Sequence, residues 1–174
     1  MMNVLLHACC GPCAVFPVQH FRDKNIDFTA YFFNPNIHPL EEHLKRKETL
    51  QEFADSEKFD LIVSDEFAQS DWEDTLGASH DRCKLCYQIR LGEVARRAKL
   101  GGFDAFSTTL LISPYQNHEL LREIGEELSK EFGIGFYYQD FRPNFRDGQN
   151  KAREIGLYRQ KYCGCINSLA ERER

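Results

Sequence analysis

The chain has 174 residues with 22 Lys plus Arg against 27 Asp plus Glu, a net charge of −5 with histidine neutral. At this length folding hides roughly 70% of the surface the unfolded chain exposes, so a single domain can build a hydrophobic core without metals or disulfides to staple it. The 42% hydrophobic and 13% aromatic content excludes a disordered chain, and no apolar run approaches the roughly 20 residues of a membrane span.

The N-terminal MMNVLLHACC has no basic leader, and Val4, Leu5 and Leu6 form only a short apolar run, so a cytoplasmic chain is expected. Residues 3–8 predict a first strand, followed by the loop His7, Ala8, Cys9, Cys10, Gly11, Pro12, Cys13 and a helix over 15–23. A second strand is expected over 28–33. A helix over 40–56 follows, with Glu41/Lys45 and Glu42/Arg46 at i,i+4. Then come a strand over 59–64, a helix over 82–100, a strand over 104–108, a helix over 118–132 capped by Asn117 and His118, and a strand over 135–139. A further helix is expected over 149–155, and the tail YCGC leads into a short final helix. Alternating strand and helix predicts one α/β domain spanning 1–174: doubly wound and Rossmann-like, with a mostly parallel sheet of about five strands and a short helical C-terminal tail.

In such folds the site lies beyond the C-terminal ends of the strands. A nucleotide-binding protein would place a glycine-rich phosphate turn after strand one, but thiols fill that loop, which disfavours ATP or NAD. Cys10 to Cys13 read CGPC at a strand-to-helix junction, the context of a thioredoxin-like dithiol. Cys83 and Cys86 share one helical face, where the helix dipole, Arg82 and Lys84 are expected to lower their thiol pKa values, favouring ligation over packing. Cys163, Gly164 and Cys165 allow a small strained disulfide ring, easily reduced and therefore switchable. Four thiolates satisfy a tetrahedral zinc or a cubane cluster; seven cysteines exceed both, and redox use accounts for the surplus. The adjacent Cys9 and Cys10 do not easily bind one zinc but can reach different irons of a cluster.

Charge is uneven along the chain. Residues 82–99 carry +5, residues 142–161 carry +4, and the remainder carries −14. Both basic segments adjoin cysteine pairs, as a polyanionic substrate would require; the alternative is two solvated helix faces.

The set HACCGPC, RCKLCYQIRL, STTLLISPYQN, YQDFR and YRQKYCGC runs in that order from His7 to Cys165. It resembles the epoxyqueuosine reductase family in its cobalamin-independent form. The resemblance implies an adenine nucleotide alpha hydrolase-like (HUP-like) fold and a four-iron four-sulfur (4Fe-4S) cluster. It also implies reduction of epoxyqueuosine at tRNA wobble position 34 to queuosine, the last step of queuosine biosynthesis. Carried onto this chain, the cluster ligands are Cys9, Cys10, Cys83 and Cys86, and Cys163 with Cys165 is a redox-active pair. Cys13, where relatives can carry Asp, touches the cluster or an additional mononuclear iron. The partners are tRNA and an unidentified electron donor, with no membrane.

Converting an epoxide to an alkene removes oxygen as water and takes two electrons and two protons. Asp140, His7 and the tail tyrosines are the candidate acids, although Asp140 can pair with Arg142 and His7 reads as a satisfied strand histidine. Arg142, Arg146, Lys151 and Arg159 are expected to contact tRNA phosphates. Tyr162, Phe141, Phe145 and Tyr158 are candidate stacking partners for an unstacked base. Two other classes fit parts of the pattern: a thioredoxin-like oxidoreductase using Cys10 and Cys13, and a zinc-stabilised RNA-binding module. A protein with an adenylating pyrophosphate loop would share the fold, but its glycine-serine loop is missing.

Overall fold

The computed structural model describes residues 1–73 and 79–173. Five strands form one sheet: β1 (Asn3–His7), β2 (Asp27–Phe32), β3 (Leu61–Val63), β4 (Ala105–Thr108) and β5 (Gly135–Phe136). Their order is β3-β2-β1-β4-β5, and each pairing among the described residues is parallel, as expected. The connections carry helices α1 (Gly11–Asp23), α2 (Leu40–Glu57), α3 (Ser70–Glu73), α4 (Ser79–Leu100) and α5 (His118–Phe132). Helices α6 (Phe145–Glu154) and α7 (Ile166–Glu173) follow the last strand. Among the described residues no helix is long and apolar enough to cross a membrane.

Parallel strands buried on both faces explain the near-continuous apolar β1. Its alternate side chains divide between two core layers. Leu5 packs with Tyr31, Phe106, Leu91 and Leu121 beneath α4 and α5. Ala8, Ala30 and Phe32 meet Val18, Leu50, Phe53 and Ala152 from α1, α2 and α6, while Val4 and Leu6 lie against Phe21. Helix α5 crosses the sheet edge where Gly125 faces Phe136; a Cβ there would fall 2.3 Å from the Phe136 ring, so only glycine allows this approach.

Several boundaries differ from the sequence expectation. Helix α1 starts at Gly11 rather than residue 15, because Pro12 needs no amide partner in a first turn, and this draws Cys13 into the helix. Strand β5 stops at Phe136 rather than 139, since β4 gives way to a 3-10 turn at Thr109 and leaves little to pair with. Helix α6 starts at Phe145, one turn earlier than expected, and α3 had no sequence signal.

Candidate functional site

The loop after β1 hangs from His7. Its Nε2 meets Phe33 O at 3.1 Å and Asn34 Oδ1 at 2.9 Å, while Nδ1 lies 2.9 Å from Thr108 Oγ1. Two oxygen acceptors place the proton on Nε2, and the Thr108 hydroxyl donates to Nδ1. Burial pushes the imidazole down to about 4, so His7 is a neutral strut joining three strands rather than an acid.

Beyond it the Cys9, Cys10 and Cys13 sulfurs lie within 4.8 Å of one another, a group able to hold a metal ion. Cys9 and Cys10 Sγ are 3.8 Å apart, and Thr109 Oγ1 lies 3.4 Å from Cys9 Sγ. Hydrogen bonds from Cys10, Cys13 and Thr109 hold the Cys9 thiol well below its ordinary value, while burial raises Cys10 and the neighbouring sulfurs raise Cys13. The three sulfurs sit at the N-terminus of α1, where the helix dipole favours thiolate over thiol. Cys10 and Cys13 are 1% and 5% exposed, which does not suit the accessible nucleophile of a thioredoxin-like enzyme.

Cys83 and Cys86 face a second cavity of about 180 Å³, which Cys163 and Cys165 also line. Here the expected pKa direction is reversed: burial raises Cys83, and raises Cys86 to about 11. Helix α4 begins at Ser79, so these thiols sit past its first turn, and Arg82 spends its guanidinium on Glu171 at 2.8 Å. Asn36 Nδ2 donates to Cys86 Sγ at 3.1 Å.

The Cys163–Cys165 loop is fixed from outside. Arg46, 1% exposed, donates from Nη1 to Cys163 O at 2.8 Å and from Nη2 to Tyr162 O at 2.9 Å. His38 N donates to Gly164 O at 2.7 Å, Ile166 N donates to His38 Nδ1 at 2.9 Å, and the Tyr162 hydroxyl donates to His38 O. Cys165 is buried; Cys163 is exposed and accepts from Gln116 Nε2 at 3.2 Å. The Gln116 Oε1 in turn accepts from the Tyr87 hydroxyl at 2.7 Å, which directs the amide nitrogen toward sulfur.

Cys163 also lines a cleft of about 800 Å³ that reaches Cys9 and Cys13. Arg146, Arg153, Arg159 and Lys161 surround it with four cations, and Tyr115, Phe145 and Tyr162 supply rings. Arg146, Gln149, Asn150 and Arg153 stand at i, i+3, i+4 and i+7 on α6, one helical stripe facing the opening.

Other expected site residues are elsewhere. Lys151 projects from the opposite side of α6 into a hollow of about 230 Å³ beside Val15, Phe16 and Phe53. Arg142 lies outside the cleft lining and pairs with Asp140 through Nε and Nη2 at 2.9 and 2.8 Å. That guanidinium holds Asp140 down to about 2, which favours the ionised carboxylate over a proton donor. Phe141 is 1% exposed in the core, and the Tyr158 hydroxyl is bound to Glu42. The 82–99 segment is not a free basic stripe: Arg90 is 2% exposed, Arg96 pairs with Glu93, and Arg97 lies over the Tyr31 ring. Asn117 caps α5 as expected, accepting from Leu120 N at 3.2 Å. Sequence reasoning missed Arg46 and Asn36, for which no local signal exists, and Tyr115 and Gln116, which lay in view within STTLLISPYQN.

Residues 4–171 match the family model described as epoxyqueuosine reductase QueH. The chain is 35% identical over 171 residues to "Epoxyqueuosine reductase QueH" of Dehalococcoides mccartyi, covering 98% of this chain and 94% of that protein. It is 35% identical over 183 residues to the protein of that name from Thermotoga maritima, covering 99% and 93%. A predicted tRNA methyltransferase subunit from Methanocaldococcus jannaschii superposes with a TM-score of 0.61 at 11% identity, covering 88% of this chain and 76% of that one. A deacetylase of teicoplanin biosynthesis gives 0.54 at 10% identity, covering 88% and 83%; both show the shared fold alone. With nearly its full length matched, the chain belongs to the epoxyqueuosine reductase QueH family.

Proposed function

We propose that this protein reduces epoxyqueuosine at the wobble position of tRNA to queuosine, using a thiol-held 4Fe-4S cluster and the Cys163–Cys165 dithiol. The observation that carries the reading is the position of Cys163, which lines both the inner cavity with Cys83 and Cys86 and the basic cleft with Cys9 and Cys13. The donor set fits a cluster: thiols from the β1–α1 junction and from helix α4 face cavities that share Cys163, with the buried cations Arg46 and Arg90 beside them to balance anionic sulfur. Cys9, Cys10, Cys83 and Cys86 would hold it, leaving Cys13 beside Cys9 for an additional iron. When bound, such a cluster supplies single electrons.

The chain's own residues account for the rest. Arg146, Arg153, Arg159 and Lys161 neutralise backbone phosphates, and Tyr115 and Phe145, whose rings meet edge-on at 5.9 Å, offer a stacking surface for the unstacked base. Oxidation of the Cys163–Cys165 dithiol to a disulfide releases two electrons and two protons. Those convert the epoxide to an alkene and one water, so no separate carboxylic acid is needed. An electron donor then returns the pair to the dithiol.

The test is anaerobic incubation of iron-loaded protein with epoxyqueuosine-containing tRNA and a reductant, followed by nucleoside analysis. Queuosine is the expected product. Protein containing stoichiometric zinc and no acid-labile sulfide would overturn the cluster, and absence of queuosine from iron-loaded protein would overturn the reaction.

A further inference from the structure

Arg90 stands on α4 at i+4 from Cys86 and is 2% exposed. Its Nε donates to Asn36 Oδ1 at 2.8 Å, and the same Asn36 side chain donates to Cys86 Sγ at 3.1 Å. The guanidinium lines the inner cavity together with Cys83, Cys86, Cys163 and Cys165. Among the described residues no carboxylate lies within 4.0 Å of it, whereas the other buried arginine at the thiols, Arg46, has Glu42 at 2.8 Å. Arginine cannot shed its proton to escape burial, and a buried charge without a partner is strongly destabilising. Glu171 also lines this cavity but is paired with Arg82 at 2.8 Å, so among the described residues the anionic chemistry that faces Arg90 is sulfur.

We infer that Arg90 is a positioning residue that supplies the buried counter-charge of the thiolate-held group, retaining it in the cavity and favouring its reduced form. The inference rests on the cluster reading above. Four thiolates outnumber the positive charge of a 4Fe-4S core, so the assembly is anionic and becomes more so on taking one electron. The charge of Arg90 does not change in that step. Its attraction, strengthened by the burial of the guanidinium, therefore stabilises the reduced form more than the oxidised one. Asn36 links the two partners through hydrogen bonds, which keeps the guanidinium aimed at the Cys86 side of the cavity.

Arg90→Met and Arg90→Lys test this in three measurements on anaerobically loaded protein. These are a dithionite redox titration followed by cluster absorbance, the rate of iron loss to a chelator, and melting of the loaded and metal-free forms. Arg90→Met is expected to lower the midpoint potential and to lose iron at least tenfold faster. Arg90→Lys, which keeps the charge but not the planar donor, should recover part of both. Metal-free Arg90→Met should melt at or above metal-free wild type, because a buried unpaired charge has gone, while the loaded variant melts below loaded wild type. A purely architectural arginine would lower both melting temperatures alike and leave the potential unmoved, and that result overturns the inference. Wild-type protein without iron and sulfide overturns the cluster reading alone; the comparison of metal-free and zinc-loaded melting then still tests the counter-charge, and an equal loss in both forms overturns it.

Discussion

Arg46 occupies the space that a side chain on Gly164 would need. A Cβ on Gly164 would lie 3.0 Å from Arg46 Nη1 and 3.3 Å from Ile37 Cγ1, and the residue holds φ at +148°, where L side chains are strained. The central glycine of the CGC triplet is therefore set by a buried cation 118 positions earlier in the chain. Gly164→Ala is expected to cost about 1–3 kcal/mol of stability, the range for a strained backbone position, and to reduce turnover at least tenfold by displacing Cys163. Thermal melting and nucleoside analysis check it; unchanged turnover would show that the loop tolerates another geometry.

Separate roles for the two thiol groups predict separate losses. Cys83→Ser or Cys86→Ser should abolish cluster absorbance while the protein stays folded, since two core layers form without either thiol. Cys163→Ser with Cys165→Ser should keep iron and absorbance and abolish turnover. Loss of one iron per chain from the double variant would instead assign these sulfurs to an additional metal.

The two sides of α6 should behave differently toward tRNA. Reversing charge at Arg146, Arg153 and Arg159 is expected to weaken binding by at least tenfold and to flatten the salt dependence by about one slope unit per lost phosphate contact. Lys151→Glu should change affinity less than about twofold, as it faces the hollow beside α1. Filter binding at several salt concentrations distinguishes the two; equal effects would place the RNA elsewhere.

Asp140 is expected to matter for acid stability and not for proton supply. Its folded pKa, about 2, lies below the ordinary 3.8 because Arg142 stabilises the carboxylate. A depressed acid contributes stability above its unfolded pKa and loses it as pH falls through the folded one, so the contribution fades between about 4 and 2. Asp140→Asn should remove that part of the acid-unfolding curve while keeping turnover within about threefold. A loss of a hundredfold or more in turnover would restore Asp140 as an acid.

Strand and helix order was legible because burial imposes local periods. A strand buried on both faces reads as an apolar run such as Val4 to Leu6, and a helix reads as an i,i+4 repeat such as Glu42 and Arg46. The thiols were legible for a similar reason, since CCGPC, CKLC and CGC announce their chemistry at short range. Which thiols share a cavity was decided only when β1, α4 and the tail met at the C-terminal edge of the sheet. The same holds for the charges. Arg146 and Lys151 are alike in sequence, yet five helical residues turn the chain through well over a right angle, and one faces the cleft while the other faces α1. Arg46 and Arg90 read as solvated cations in a helix pattern. Their burial depends on elements distant in the chain, the CGC loop for one and the Asn36 turn for the other, because a buried charge is tolerated only where partners from other segments surround it.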